Sequence, residues 1–250
     1  MTDFLFQLLL TFDATLRVAA PLILCGMAGI FSERSGVIDI GLEGKMLAGA
    51  FAAAAAAVMT GSPWLGLFAA IGVSVCLSLL HGFACITHRG NQVISGLAIN
   101  ILASALTVTI GIALFKRGGN TPSLEQDMLF RPIEWPLAET LESVPVLGPI
   151  YSGVISGHNL LVYVALLAVP LSAWLLFRTS FGLRIRAVGE SPEAVDSAGI
   201  SVYLLRYKAV ILAGVLCGIA GAYLSIAHGG GFGREMSAGK GYIALAAVIF

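Results

Sequence analysis

Long apolar runs separated by short polar links dominate this chain, and the runs have the length of membrane crossings. One crossing of a ~30 Å hydrocarbon core needs about 20 apolar residues in a helix. The pattern predicts spans at 14–31, 45–60, 64–87, 92–115, 159–177 and 209–227, and a seventh apolar run at 241–250. Ten residues cannot cross a bilayer, so the last run reads as a truncated span or an unusual half-span. Arg17 stands near the start of the first run and snorkels to the interface, while Pro21 and Pro170 mark bends in the first and fifth.

The links differ in character. FSERSGVIDIGLEGK, after the first run, is too polar to face lipid and too apolar for an ordinary loop. Gly36, Gly41 and Gly44 permit a broken helix there, which membrane depth tolerates only where protein or a watery cavity surrounds it. Ala48 to Ala57 holds eight alanines, a glycine and a phenylalanine, and so smooth a helix packs closely on its neighbours. The turn at Gly61, Ser62 and Pro63 and the link HRGN are short. The connection 116–157 carries five of the nine prolines and five carboxylates; it is the longest soluble segment, lies on one face, and has room for a short surface helix.

A polar island runs from Arg178 to Lys208 and holds five basic residues. Within it one short helix is predicted: Ser191 as N-cap, Pro192 at the first helical position, Glu193 near the positive end, and Gly199 as the stop. A connection between spans needs no such element, so the helix is either a docking surface for another protein or a segment lying on the headgroups. In the sixth span Gly214 and Gly218 stand at GxxxG spacing, with Gly221 and Ala222 continuing the small face, which predicts a close helix crossing. A faint internal repeat links GLEGKMLAGAF with SAGKGYIALAA, the two copies approaching from opposite faces as in an inverted repeat.

Composition agrees: 58% of residues are hydrophobic and 11% charged, against about 25% charged in soluble domains. The fold class is an all-α polytopic membrane protein of six to seven helices in a single transmembrane domain. Net charge is zero, so nothing points to nucleic acid. Cys25, Cys76, Cys85 and Cys217 lie in apolar runs without CxxC or histidine company, as buried unpaired thiols do. The opening MTDFLFQLLLTFD lacks the basic n-region of a cleavable signal peptide. If 178–208 is cytoplasmic, alternation puts eight basic residues on that side and five on the other, in the sense of the positive-inside rule. The connection 116–157 is then extracytoplasmic.

No catalytic constellation or metal cluster is present, and SAGKG fails the phosphate-loop pattern because Arg234 and Gly241 occupy two of its defining positions. Asp39, Glu43 and the other carboxylates fall at or outside the edges of the predicted spans, whereas ion coupling uses an acidic group near the midplane. That disfavours the alternative of an ion-coupled secondary carrier. His81, Gln92, Ser95 and Asn100 are the main intramembrane polar residues. They either bond between helices or, with Asp39 and Glu43, line a polar translocation path; Asn100 lies about 12 Å along the axis from Gln92.

FSERSGVIDIGLEGKMLAGAFAA, GNQVISGLAIN and FGLRIRAVGESPEAVDSAGIS together resemble the permease subunits of bacterial ABC importers for nucleosides and simple sugars, relatives of the ribose and branched-chain amino-acid permeases. The resemblance covers nearly the whole chain. It implies that the segment from Arg186 through Gly189, Glu190, Ser191, Pro192, Glu193, Ala194 and Asp196 to Gly199 is the coupling helix that sits in a groove of a separate ATPase subunit. It also implies a homologous or identical sister permease, an extracytoplasmic solute-binding protein, and a place in the bacterial inner membrane. ATP is then used by the partner subunit, and this chain binds no cofactor and is no enzyme by itself. Family members continue with further spans past the point matching Phe250.

Overall fold

The computed structural model describes residues 2–133 and 156–249. Among them are nine α-helices: α1 (Thr2–Arg34), α2 (Leu42–Thr60), α3 (Pro63–Gly82), α4 (Gln92–Phe115), α5 (Leu160–Arg178), α6 (Ser180–Glu190), α7 (Pro192–Ser197), α8 (Val202–Ala222) and α9 (Lys240–Ile249). Six are long and apolar enough to cross a membrane, and π-helical turns extend α3 to Thr87 and α8 to His228. Two-residue strands, β1 (Pro132–Ile133) and β2 (His158–Asn159), pair antiparallel. The described part of the 116–157 connection contains a 3-10 turn at Gln126–Met128; 134–155, where the expected surface helix could also fall, lie outside the described residues.

α2 and α8 form the centre of the bundle: 78% of each span is buried, against 22% for α4 at the rim. Small residues make this centre possible. A Cβ on Gly218 would stand 2.6 Å from Ile71 Cα, and one on Gly221 would stand 2.4 Å from the Met46 carbonyl oxygen, so α8 touches α3 and α2 backbone to backbone, as the GxxxG spacing predicts. The buried alanines of α2 pack into the same core. Large apolar side chains, among them Phe68, Ile101, Leu167 and Trp174, are exposed on the rims of α3, α4 and α5, the arrangement expected of lipid-facing helices.

The main departures from the sequence pattern are at α1, at α8 and in the polar island. α1 begins at Thr2, well before 14; Asp13 is compatible with helix because it pairs with Arg17 one turn on, at 3.2 Å. The span expected at 209–227 begins at Val202, capped by Ser201 Oγ, which accepts from Leu204 N–H at 3.4 Å. Its polar first turns are engaged by neighbours: Tyr207 Oη lies 2.6 Å from Thr87 Oγ1, Arg89 donates to Tyr203 Oη at 3.4 Å, and Arg206 Nε donates to the Ser35 carbonyl at 3.2 Å. The remainder of the island forms α6 as well as the expected α7, since Thr179 Oγ1 caps α6 through Gly182 N–H at 3.1 Å. Cys25, Cys85 and Cys217 are buried free thiols, but Cys76 is exposed; Ser74, Ser78 and His81 take the inward positions of α3, and helical geometry turns residue 76 outward.

The links fall into two groups. The 229–239 loop and the π-helical turn before it bind the connection, with Thr121 N–H donating to the Phe232 carbonyl (3.1 Å), Leu124 N–H to Gly230 (2.9 Å) and Phe130 N–H to Ile226 (3.0 Å). The α1–α2 link, the α3–α4 link and α6–α7 gather at the opposite end, joined through the first turns of α8.

Candidate functional site

The break between α1 and α2 organises the polar interior. Gly36 turns the chain at φ +76°, a left-handed conformation that favours glycine, and Ser32 Oγ holds the turn by donating to the Val37 carbonyl at 2.7 Å. Beyond it the backbone has no helical partners, and unpaired backbone groups in a bilayer cost several kcal/mol, roughly. Side chains supply the partners. Gln92 accepts from Ile38 N–H at 2.7 Å and donates to the Gly36 carbonyl at 3.4 Å. Asn100 accepts from Gly44 N–H at 2.8 Å and donates to the Ile40 carbonyl at 3.0 Å. His81 Nε2 lies 3.3 Å from the Ile38 carbonyl and its Nδ1 lies 3.0 Å from Ser95 Oγ, a pattern that fits Nε2–H as donor and Nδ1 as acceptor.

Buried charge reinforces the break. Asp39 and Lys45 are fully buried as side chains and form an ion pair. Asp39 Oδ1 also accepts from Gly41 N–H at 3.1 Å and lies 3.9 Å from His81 Nε2. A buried pair survives only where further hydrogen bonds satisfy both charges, and the link supplies them for the carboxylate.

Glu43, in the first turn of α2, accepts from Gly239 N–H at 2.8 Å and from Gly241 N–H at 2.5 Å. The carboxylate thus caps the start of α9 while standing at the positive end of its own helix. The two copies of the faint sequence repeat therefore meet: a Cβ on Gly241 would be 2.6 Å from Glu43 Cα. Tyr242, in the first turn of α9, accepts from Asn100 Nδ2 at 2.8 Å. α9 spans ten residues, about 15 Å, and its side chains Leu245 and Val248 pack near Gly29 in the last turns of α1.

Between α4, the start of α2, the 229–239 loop and α9 lies an open cleft of about 600 Å³ whose polar lining is Glu43, Asn100, Ser104, Thr109, Arg234, Glu235 and Tyr242. Ser104 donates to Glu235 Oε1, and Glu235 is held in the left-handed region at φ +55°, uncommon for a side-chain-bearing residue. Ser104 lies at the midpoint of the 24-residue α4. Glu235 therefore stands beside the middle of α4, Asp39 lies close to His81, and Glu43 shares the cleft with Asn100. The re-entrant path of both helix starts draws them inward.

At the other end, α7 closes with a Schellman motif: Ile200 N–H donates to Val195 O at 3.3 Å and Gly199 N–H to Asp196 O at 2.9 Å, with Gly199 at φ +77°. Val195 packs with Val188, Leu205 and Ile200, leaving Glu193, Ala194 and Asp196 exposed together with Glu190 and Ser191. Pro192 occupies the first helical position, but Ser191 makes no side-chain capping bond; its φ of −147° and ψ of 86° lie outside the usual N-cap geometry. Arg186 turns back over the Phe177 ring, 5.0 Å from its centroid. Ile185 is buried among Phe31, Leu176 and Ala209, and Gly189 meets the bundle backbone to backbone, since a Cβ there would stand 2.4 Å from the Arg34 carbonyl oxygen.

The structure therefore brings Asp39, Glu43, His81, Gln92, Ser95 and Asn100 into one network and gathers the 186–199 residues at the end of the bundle where the link starts. Sequence reading missed Lys45, Ser104, Arg234, Glu235 and Tyr242. A lysine three residues into a span beside Asp39 was a signal for the first; the others come together only through folding.

Residues 11–250 match the family described as branched-chain amino acid transport system / permease component. The chain is similar to a guanosine ABC transporter permease protein of Bacillus subtilis, NupQ, at 39% identity over 95% of this chain and 73% of the relative. It is similar to a nucleoside ABC transporter permease protein of Lactococcus lactis, NupC, at 37% identity over 93% and 72%. A glucose ABC transporter permease protein of Haloferax volcanii is 25% identical over 91% and 60%. No solved structure gives a significant match.

Proposed function

The chain belongs to the permease components of the branched-chain amino acid transport system type, multi-pass membrane subunits of ABC importers, and on that premise we propose that it carries a nucleoside across the bacterial inner membrane. Such a permease works with an ATPase and a solute-binding protein. In this reading the binding protein docks on the extracytoplasmic connection, the ATPase docks on α6–α7, and a sister permease completes the pathway. ATP binds and is hydrolysed in the ATPase subunit. The pathway runs past Asn100 and Glu43 along the cleft, with His81, Gln92, Ser95 and Asp39 keeping the broken helix in place beside it.

The observation that carries the coupling role is the contact of Gly189 with Arg34. α7 is a capped helix whose outer face presents Glu193, Ala194 and Asp196, and α6 beneath it touches the α1–α2 break backbone to backbone. Closure of an ATPase pair against α7 would push on a link whose hydrogen bonds reach α3, α4 and the cleft. Alternating access then follows as a rigid-body tilt of packed helices. Two relatives named for guanosine and nucleosides support nucleosides as the solute, and a relative named for glucose supports simple sugars as the second reading.

The test is import into vesicles holding the permease pair and its ATPase, with binding protein added outside, using purine and pyrimidine nucleosides, ribose and galactose. Nucleoside uptake that stops without ATP is expected. Uptake that persists without ATP and follows a proton or sodium gradient would overturn the reading.

A further inference from the structure

We propose that Glu235 and Ser104 form a subsite for the vicinal diol of a ribose or related sugar ring, within the cleft between α4 and the 229–239 loop. The proposal rests on the importer reading and names the chemistry that the pathway recognises.

The cleft, about 600 Å³, falls within the ~300–1,000 Å³ range of small-molecule sites. Its polar groups stand at the middle of a span-length helix, where lipid would leave them unsatisfied, so they face water, solute or another protein. Glu235 is fixed from two directions: its backbone is held at φ +55° and its carboxylate takes the Ser104 hydroxyl. That single bond leaves most of the carboxylate's acceptor capacity free.

The charge balance selects the ligand. Arg234 lines the same cleft as Glu235, yet the two form no ion pair, nor does Arg234 with any other acid among the described residues. Glu43, the other acid of the lining, already accepts from Gly239 and Gly241 N–H, one bond on each oxygen. One free cation, one open carboxylate, and the Ser104, Thr109 and Tyr242 hydroxyls suit a neutral solute rich in both donors and acceptors. An anion would meet Glu235, and a cation would meet Arg234. Two adjacent hydroxyls donating to one carboxylate supply the paired donors that such an acceptor favours, and hydrogen bonds to a charged group are the stronger ones.

Glu235→Gln is the informative change because the amide still accepts from Ser104 and keeps the loop in place. Import is measured in the assembled complex with binding protein saturated by each solute, comparing uridine with 2′,3′-dideoxyuridine. The variant should lose about tenfold or more in uridine turnover, the size of a lost hydrogen bond to a charged group, and change dideoxyuridine turnover by less than about twofold. ATP hydrolysis without solute and assembly with the ATPase should match the parent. Equal losses for both solutes would make Glu235 a positioning residue of the loop and overturn the proposal, as would no loss for either. A parent complex that imports neither solute with ATP would instead overturn the importer reading on which this one rests.

Discussion

Gly189 and Arg34 meet with no side chain between them: a Cβ on Gly189 would lie 2.4 Å from the Arg34 carbonyl oxygen. Through this contact the end of α6 rests on the start of the α1–α2 break. Gly189→Val should force the two apart, at the roughly 1–3 kcal/mol of an overpacked contact. We expect normal membrane insertion and ATPase binding, with solute-stimulated ATP hydrolysis largely lost. Full stimulation in reconstituted vesicles would show that the contact transmits nothing.

Gly199 and Ser191 should separate in their effects. Gly199→Val places a β-branched residue in the left-handed position of the Schellman motif, at on the order of 1–3 kcal/mol, and should weaken ATPase association in a pull-down of the complex. Ser191→Ala removes no hydrogen bond, so its effect should stay within about 0.5 kcal/mol, as for ordinary surface changes. Equal weakening by both changes would mean that the Ser191 hydroxyl serves the partner.

Asn100→Leu strips partners from Gly44 N–H and the Ile40 carbonyl, each costing about 1–3 kcal/mol when left buried. The expected result is reduced folded protein, read by size-exclusion chromatography in detergent. Normal amounts with transport alone abolished would assign Asn100 to solute contact instead.

Lys45→Met leaves the Asp39 carboxylate buried without its counter-charge, which costs roughly 3–5 kcal/mol. Adding Asp39→Leu should recover part of that loss, because an apolar pair avoids the burial of a lone charge. Thermal unfolding of both single variants and the double variant measures the coupling. Additive losses would mean that the pair contributes nothing jointly.

A cysteine replacing Ser123, which is exposed beside the 229–239 loop, should react with an impermeant thiol reagent added outside cells. Glu193→Cys should react only after the membrane is opened. The reverse pattern would invert the topology.

The apolar runs determined the number of spans because lipid demands a continuous helical stretch of fixed length, and α4 runs over the 92–115 expected of it. Gly199 as the stop of α7, the GxxxG face of α8 and the break at Gly36 were also legible, since each depends on a local requirement for a residue without a side chain. The first turns of α8 were hidden because Tyr203, Arg206 and Lys208 read as loop, and only their neighbours at the bundle end make a helix there acceptable. Ser191 was read as a cap from its residue type, but its backbone angles are set by the junction with α6. The meeting of Glu43 and Glu235 in one cleft came from tertiary structure alone. Position along the chain orders residues by sequence distance, whereas two helices that start inside the bundle carry their first residues in among the other helices, and the partners that hold Glu43, Gly239 and Gly241, lie 196 to 198 residues away.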